Sequence, residues 1–419
     1  MTSEALLEQA GGRHAAEIIA PAPRISIQAF CESQGVVSIV EAASSDRRMA
    51  KVHMKVHMGG VQAAIEAFRS APTPNLIVVE NTKDREQLLD NLDALAESCD
   101  SGTKVIVIGH ENDIGLYRAL TARGVSDYIV CPFDVLDFIR HVSRLYNGSG
   151  GEALGRVIAV IGAKGGVGAS NVSHNLAWSI SRQLEVQTVI VDLDLAFGTA
   201  GLDFNQDPPQ GVAEAVFAPE RVDSNMIDRL LSKCSDMLSL LAAPATVERG
   251  YDLGEAAFDP LLDILRSTTP VTVLDIPHQW TAWTRHVLVA ADELLIVASP
   301  DLANLRNAKA MLDALRTARP NDRPPRLALN FVGMPKRPEI ALAEFAKAME
   351  LQPDAVIPFE PKLFGTAANN GQMLAEVEAS SKIVEIFDDL ARSVMGKTVR
   401  RTKKSLLSPL LARMRMKAG

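Results

Sequence analysis

Cysteine is scarce and scattered: Cys31, Cys99, Cys131 and Cys234 stand far apart and form no CxxC pair. That spacing excludes a disulfide framework and a zinc cluster, and it points to a reducing cytoplasm. Long apolar runs are missing as well. No window approaches the ~20 uninterrupted apolar residues of a spanning helix. The first residues, MTSEALLEQAGGRHAAE, lack the basic-then-apolar order of a secretory signal. A soluble intracellular protein is therefore expected. Positive charge is short over most of the chain. Eight of the 43 Lys and Arg, and none of the 51 Asp and Glu, lie from Lys397 onward, which leaves 35 bases against 51 acids upstream. An acidic body excludes general nucleic-acid binding, whereas a basic tail suits an anionic membrane or an acidic partner.

What is present is enough apolar material for more than one core. A chain of 419 residues, 47% hydrophobic with a mean hydropathy of +0.07, exceeds what one ordinary core supports. The expected organisation is a flexible segment over 1–24, an α/β domain over 25–146, a linker over 147–155, a larger α/β domain over 156–396 and a basic tail over 397–419. The linker NGSGGEALG is rich in residues that build no core. In the first domain RISIQAF, NLIVVE, KVIVIG and DYIVCPF read as strands, with GGVQAAIEAFRSA, DREQLLDNLDALAES and VLDFIRHVSRLY as helices between and after them. This alternation resembles a response-regulator receiver domain of flavodoxin-like fold. A receiver carries an aspartate at the end of its third strand, where this chain has Glu80. Gly109 and Cys131-Pro132 stand where a receiver has Ser or Thr and then Lys-Pro. The resemblance thus implies a degenerate receiver serving as a docking module. In KVHMKVHMGG, His53 and His57 would share a face of a helix, but without a nearby third ligand they read as surface residues.

Beyond residue 156 the runs RVIAVIG, QTVIVDLD, MLSLLAAP, PVTVLDIP, ELLIVASP, RLALNFV and DAVIPF predict a doubly wound, mostly parallel sheet. The stretch IGAKGGVGASN follows the first of these strands. Gly165, Gly166 and Gly168 give the backbone freedom to aim consecutive N–H groups at phosphate oxygens, and Ser170 supplies a hydroxyl of the kind expected on Mg²⁺. Ala169 occupies the place where such loops carry a lysine. Two further strand ends bear carboxylates, Asp192 with Asp194 in VIVDLDLAFG and Asp275 in VTVLDIPHQW. Strand-end aspartates beside a glycine loop hold metal-bound water and orient attacking water.

The segment KGGVGAS, led by Lys164, resembles the deviant Walker A box of the MinD/ParA ATPases, KGGxGK[ST]. The likeness runs on through DLDLAFG, the stretch from LDIPHQW to MLDAL, and VIPFEPKLFGTAANNGQMLAEV. With a receiver-like domain in front, the chain resembles the CpaE/TadZ family, ATPase-like proteins of Flp/Tad pilus assembly. That resemblance implies ATP and Mg²⁺ as cofactors, bound along Lys164, Gly165, Gly166, Val167, Gly168, Ala169 and Ser170. Asn330, Pro358 and Phe359 would contact the base. Ser170, Asp192 and Asp275 would serve the metal; Lys164, Asp194 and Asp275 would serve hydrolysis, with Lys164 reaching the phosphates of a second copy in an ATP-sandwiched homodimer. It further implies partners in the pilus-assembly machinery and a cytoplasmic location at the inner-membrane surface and the cell pole. An ammonium about 4 Å from a phosphate charge gains about 4 kcal/mol before desolvation at an effective dielectric near 20. With Ala169 in its place, binding and dimerisation are expected to survive while hydrolysis is slow or absent. Trp280 and Trp283 in HQWTAWTRH read equally as a partner surface or as helix packing, and His278 is not expected to act as a base. The tail reads either as a short basic amphipathic helix opened by Ser408 and Pro409, suited to peripheral membrane contact, or as a solvated disordered end.

Overall fold

The computed structural model describes residues 19–82, 84–147, 154–244 and 250–397. The helix expected in the tail, most of the linker and the first part of the N-terminal segment lie outside them. Ile19 and Ala22, expected in that loose segment, are buried against the first core, and Ala22 N–H donates to Arg48 O at 2.8 Å.

Two sheets organise the chain. The first comprises β1 (Ile25–Cys31), β2 (Val52–Met58), β3 (Leu76–Glu80), β4 (Lys104–Gly109) and β5 (Asp127–Val130), all parallel in the order β2-β1-β3-β4-β5. This is the flavodoxin-like order of a receiver. Leu76–Glu80 is buried throughout because helices cover both faces, so the strand reads as an uninterrupted apolar run closed by one acid. Glu80 is fully buried. Its carboxylate accepts Glu32 N–H at 2.7 Å, Ser33 N–H at 2.8 Å and the Ser33 hydroxyl at 2.6 Å, which ties the end of β3 to the start of helix Gln34–Ser44.

The histidine repeat is not helical. It forms the edge strand β2, in which Val52, Met54 and Val56 turn inward while His53 and His57 are exposed. The two still share a face, but four strand residues span about 13 Å, too far for one metal ion. His57 instead stacks on Phe30 at 5.0 Å. Among the described residues the four cysteines are free thiols, and no group of three or more His, Cys, Asp or Glu side chains could hold a metal.

The second sheet has the order β13-β12-β11-β6-β10-β7-β9-β8. Its strands are β6 (Arg156–Gly162), β7 (Thr188–Asp192), β8 (Ser232–Lys233), β9 (Leu238–Leu241), β10 (Val271–Ile276), β11 (Glu293–Ala298), β12 (Arg326–Val332) and β13 (Ala355–Pro358). All seven expected strands form and pair in parallel, and the added β8 runs antiparallel to β9. Helices Ala169–Gln183 and Lys382–Val394 cover one face; Asp259–Thr268, Ala282–Ala290 and Leu302–Ala318 cover the other. The molecule is thus a receiver-like domain followed by a doubly wound P-loop domain.

The two domains meet at the edge of the second sheet where its parallel strands begin. Arg47, in the short turn Arg47–Met49, donates to Asp322 at 2.7 and 3.3 Å and to Ala290 O at 3.0 Å, and lies 3.4 Å from Asp292. Arg48 bonds both Asp46 and Asp322, while Arg266 holds Asp292 at 2.6 Å and Arg319 holds Asp322 at 3.1 Å. These side chains are almost fully withdrawn from water. Burial alone would raise the Asp322 carboxyl, but Arg47, then Arg319 and Arg48, bring it down to about 2. Docking here leaves the opposite edge of the sheet, where the strands end, clear of the receiver-like domain.

Candidate functional site

Every candidate residue on the second sheet falls at the end where the parallel strands finish. β6 ends at Gly162 and runs into the loop 163–168; β7 ends at Asp192, β10 carries Asp275 one residue before its end, β12 carries Asn330 and β13 ends at Pro358. In open α/β sheets this edge is where ligands gather.

The loop takes its shape from two left-handed residues, Gly166 at φ +78° and Gly168 at φ +79°, after which helix Ala169–Gln183 begins. At Gly168 a side chain is doubly excluded, since a Cβ would stand 2.6 Å from Asn330 Nδ2 in a backbone region that L-residues avoid. A Cβ at Gly166 would meet only open space, so there it is the left-handed backbone alone that favours glycine. Three side chains brace the loop through its carbonyls. Asn330 Nδ2 donates to Val167 O at 2.8 Å, Asn307 Nδ2 to Ala163 O at 3.0 Å and His278 Nδ1 to Gly162 O at 2.8 Å. Ala163 N–H donates to Val297 O at 2.8 Å, and the rest of the loop leads into a helix N-terminus, which favours an anion. Lys164 is exposed and, among the described residues, has no hydrogen-bond or ion-pair partner.

Asp192 and Asp275 stand side by side, paired in register on β7 and β10. Asp192 is fully buried and accepts the N–H groups of Asp194 and Ala200, each at 3.1 Å. Burial and the neighbouring Asp275 carboxylate push Asp192 up to about 7. The oxygens of two adjacent buried carboxylates suit a hard dication that brings water and phosphate ligands of its own. Asp194 is half-buried and shapes the next turn, where its carboxylate accepts Phe197 N–H at 3.1 Å and its carbonyl accepts Gly198 N–H at 2.7 Å.

The structure adds a residue that sequence reasoning missed. His174, on the helix that follows the loop, is fully buried with Nδ1 2.8 Å from Asp203 and Nε2 3.4 Å from Asp275. Burial opposes its charge, but the two carboxylates outweigh burial and hold the ring protonated, raising it to about 10. In the sequence the only signal is a histidine inside the otherwise unremarked helix SNVSHNLAWSIS.

The remaining candidates divide. Asn330 is buried with both ends of its amide engaged, one by Val167 and the other by Phe331 N–H at 2.9 Å, so its observed work is to brace the loop. Pro358 is exposed, and Phe359 packs edge-on against Phe331 at 6.1 Å beside it. The tryptophans separate: Trp283 is core, 4.9 Å from Phe258, whereas Trp280 is half exposed over a cavity of about 310 Å³ that Ala163, His278 and Met311 also line. Phe197, Leu202 and Leu302, on the segments that follow β7 and β11, are each about three-quarters exposed.

Comparison with known proteins follows the same division of the chain. Residues 155–324 match a family model described as an AAA domain. The septum site-determining protein MinD of Synechocystis sp. is 24% identical over 255 residues, covering 59% of this chain and 91% of that protein. The crystal structure of a ParA family ATPase from Chlorobium tepidum is 25% identical with a TM-score of 0.52, covering 56% of this chain and 98% of its own. The crystal structure of a pilus assembly protein CpaE from Caulobacter crescentus is 44% identical over the N-terminal region, covering 31% of this chain and 98% of its own, with a TM-score of 0.30.

Proposed function

Because the chain belongs to the CpaE family of pilus-assembly proteins, with a P-loop domain of the MinD/ParA type, we propose that it is an ATP-dependent positional factor for pilus assembly with little hydrolytic activity. The observation that carries this reading is the open, left-handed glycine loop beside the buried Asp192–Asp275 pair. Backbone N–H groups from Gly165 to Ser170 hold the phosphates, and the Ser170 hydroxyl with the Asp192 and Asp275 carboxylates holds Mg²⁺ and its water. When bound, Mg²⁺ neutralises phosphate charge. Asp194 orients water at the γ-phosphate, and Pro358 and Phe359 border the base. Lys164, exposed and without a partner among the described residues, reaches the phosphates of a second copy. The exposed Phe197, Leu202, Trp280 and Leu302 surround the same edge and supply the apolar surface for that copy or for the pilus machinery.

Equilibrium dialysis with labelled ATP, phosphate release and mass measurement in solution test this together. The expected result is Mg²⁺-dependent binding, a doubling of mass with ATP, and scant phosphate release. Brisk turnover by a monomer, or no binding at millimolar Mg·ATP, would overturn it.

Among the described residues no helix is long and apolar enough to cross a membrane. Contact with the inner-membrane surface is assigned instead to the basic tail. A chain ended at Gly396 is expected to lose sedimentation with anionic liposomes; undiminished binding removes the tail from the proposal.

A further inference from the structure

We propose that His174 is a positioning residue that holds the Asp275 carboxylate from beneath the glycine loop and, through Asp203, fastens the segment 194–203 to the same site. The proposal rests on the reading of Asp275 as a carboxylate on the Mg²⁺ side of the nucleotide.

Both ring nitrogens of His174 face carboxylates, at 2.8 Å on the Asp203 side and 3.4 Å on the Asp275 side. An ionised carboxylate only accepts, so the Asp203 contact places a proton on Nδ1. The Asp203 contact is a closed hydrogen bond. The Asp275 contact is longer, and buried Nε2 completes no hydrogen bond there. His174 therefore has one firm partner and one slack partner, and the slack one belongs to the metal site. Position 169 carries no lysine, whereas His174, five residues further along the same helix, brings its ring to within 3.4 Å of Asp275.

The segment between the two sites is pinned at both ends. Asp192 takes the N–H groups of Asp194 and Ala200, and Asp203, the last residue of the short helix Ala200–Asp203, is held by His174. Between these pins Phe197 and Leu202 project into solvent. One buried ring thus links the carboxylate that would attend Mg²⁺ to the segment that presents the exposed apolar side chains. A change in what Asp275 contacts is transmitted to Asp203, and from there to the Phe197–Leu202 surface.

The full-length chain carrying His174→Asn is compared with wild type in two measurements, and Asp203→Asn serves as the milder variant should the first not fold. In the first measurement, labelled-ATP retention is titrated with Mg²⁺. Loss of a residue that orients a metal-side carboxylate is expected to raise the Mg²⁺ concentration for half-maximal retention about 10- to 100-fold in His174→Asn, and less in Asp203→Asn. Retention in EDTA stays at the wild-type level, a split that a purely structural histidine would not produce. The second measurement is amide exchange of peptide 194–203 without nucleotide, expected to quicken in both variants. Variants that match wild type in both measurements overturn the proposal. If wild type retains no ATP, the proposed function fails, and the exchange measurement alone decides the link: unchanged exchange overturns it.

Discussion

Replacing Arg47 by alanine is expected to destabilise the protein by about 3–5 kcal/mol, because it leaves the buried carboxylates of Asp322 and Asp292 short of a partner. Arg47 supplies two contacts to Asp322 and one to the carbonyl of Ala290, and it joins residues 275 positions apart in the chain. Arg48 and Arg319 remain on Asp322, which sets the lower end of that range. The consequence should be domain-specific. Separation of the receiver-like domain would show as a second, earlier unfolding transition and as new proteolytic cleavage between the domains. A single transition at the wild-type midpoint would contradict the role given to this cluster.

The same cluster predicts an acid limb to the stability curve. Asp322 titrates at about 2 in the folded chain, below the value of about 3.9 for an unfolded aspartate. A depressed carboxyl favours the folded state above its unfolded pKa, and that contribution disappears as the pH falls from about 4 through 2. For this one group it amounts to roughly 2–3 kcal/mol. In Arg47→Ala this contribution should be smaller and its loss complete at a higher pH, since the main influence lowering Asp322 is gone.

Much of the second domain was legible because its strands are covered on both faces and so spell out β-branched runs ending in a chemically distinct residue, as in VIVD and VTVLD. The short β8, Ser-Lys, left no such trace because it exists only through its hairpin with β9. β2 was missed for a different reason. Its Val52, Met54 and Val56 alternate with period two, but the two histidines four apart satisfy helical and strand spacing alike, and only the sheet resolves the choice. The phosphate loop was readable from its glycines, yet the braces that shape it come from Asn307 and Asn330, more than 140 residues away. Asn330 was expected at the base; the structure shows its amide bonded to Val167 and Phe331, contacts that the sequence did not suggest. His174 was invisible because its two carboxylates lie on other elements, and the contacts of Arg47 with Asp292 and Asp322 were unreadable for the same reason.

On the proposed function, changing Ala169 to lysine is expected to yield a measurable ATPase. Residue 169 opens the helix behind the loop, where Ala169 is only half-buried, so a long side chain can leave along the solvent side instead of displacing the core. An ammonium there would stand in cis beside the phosphates, and charge that develops in the transition state is where one fixed donor has its largest effect. Phosphate release under saturating Mg·ATP should rise about 10²- to 10³-fold, by analogy with the loss when one such donor is removed. Adding Asp275→Asn should abolish the gain, because the new lysine replaces the missing cation and not the metal-side carboxylate. Lysine at 169 that tightens ATP binding without accelerating release would show that the slow step lies elsewhere, with His174 and its hold on Asp275 as the next residue to vary.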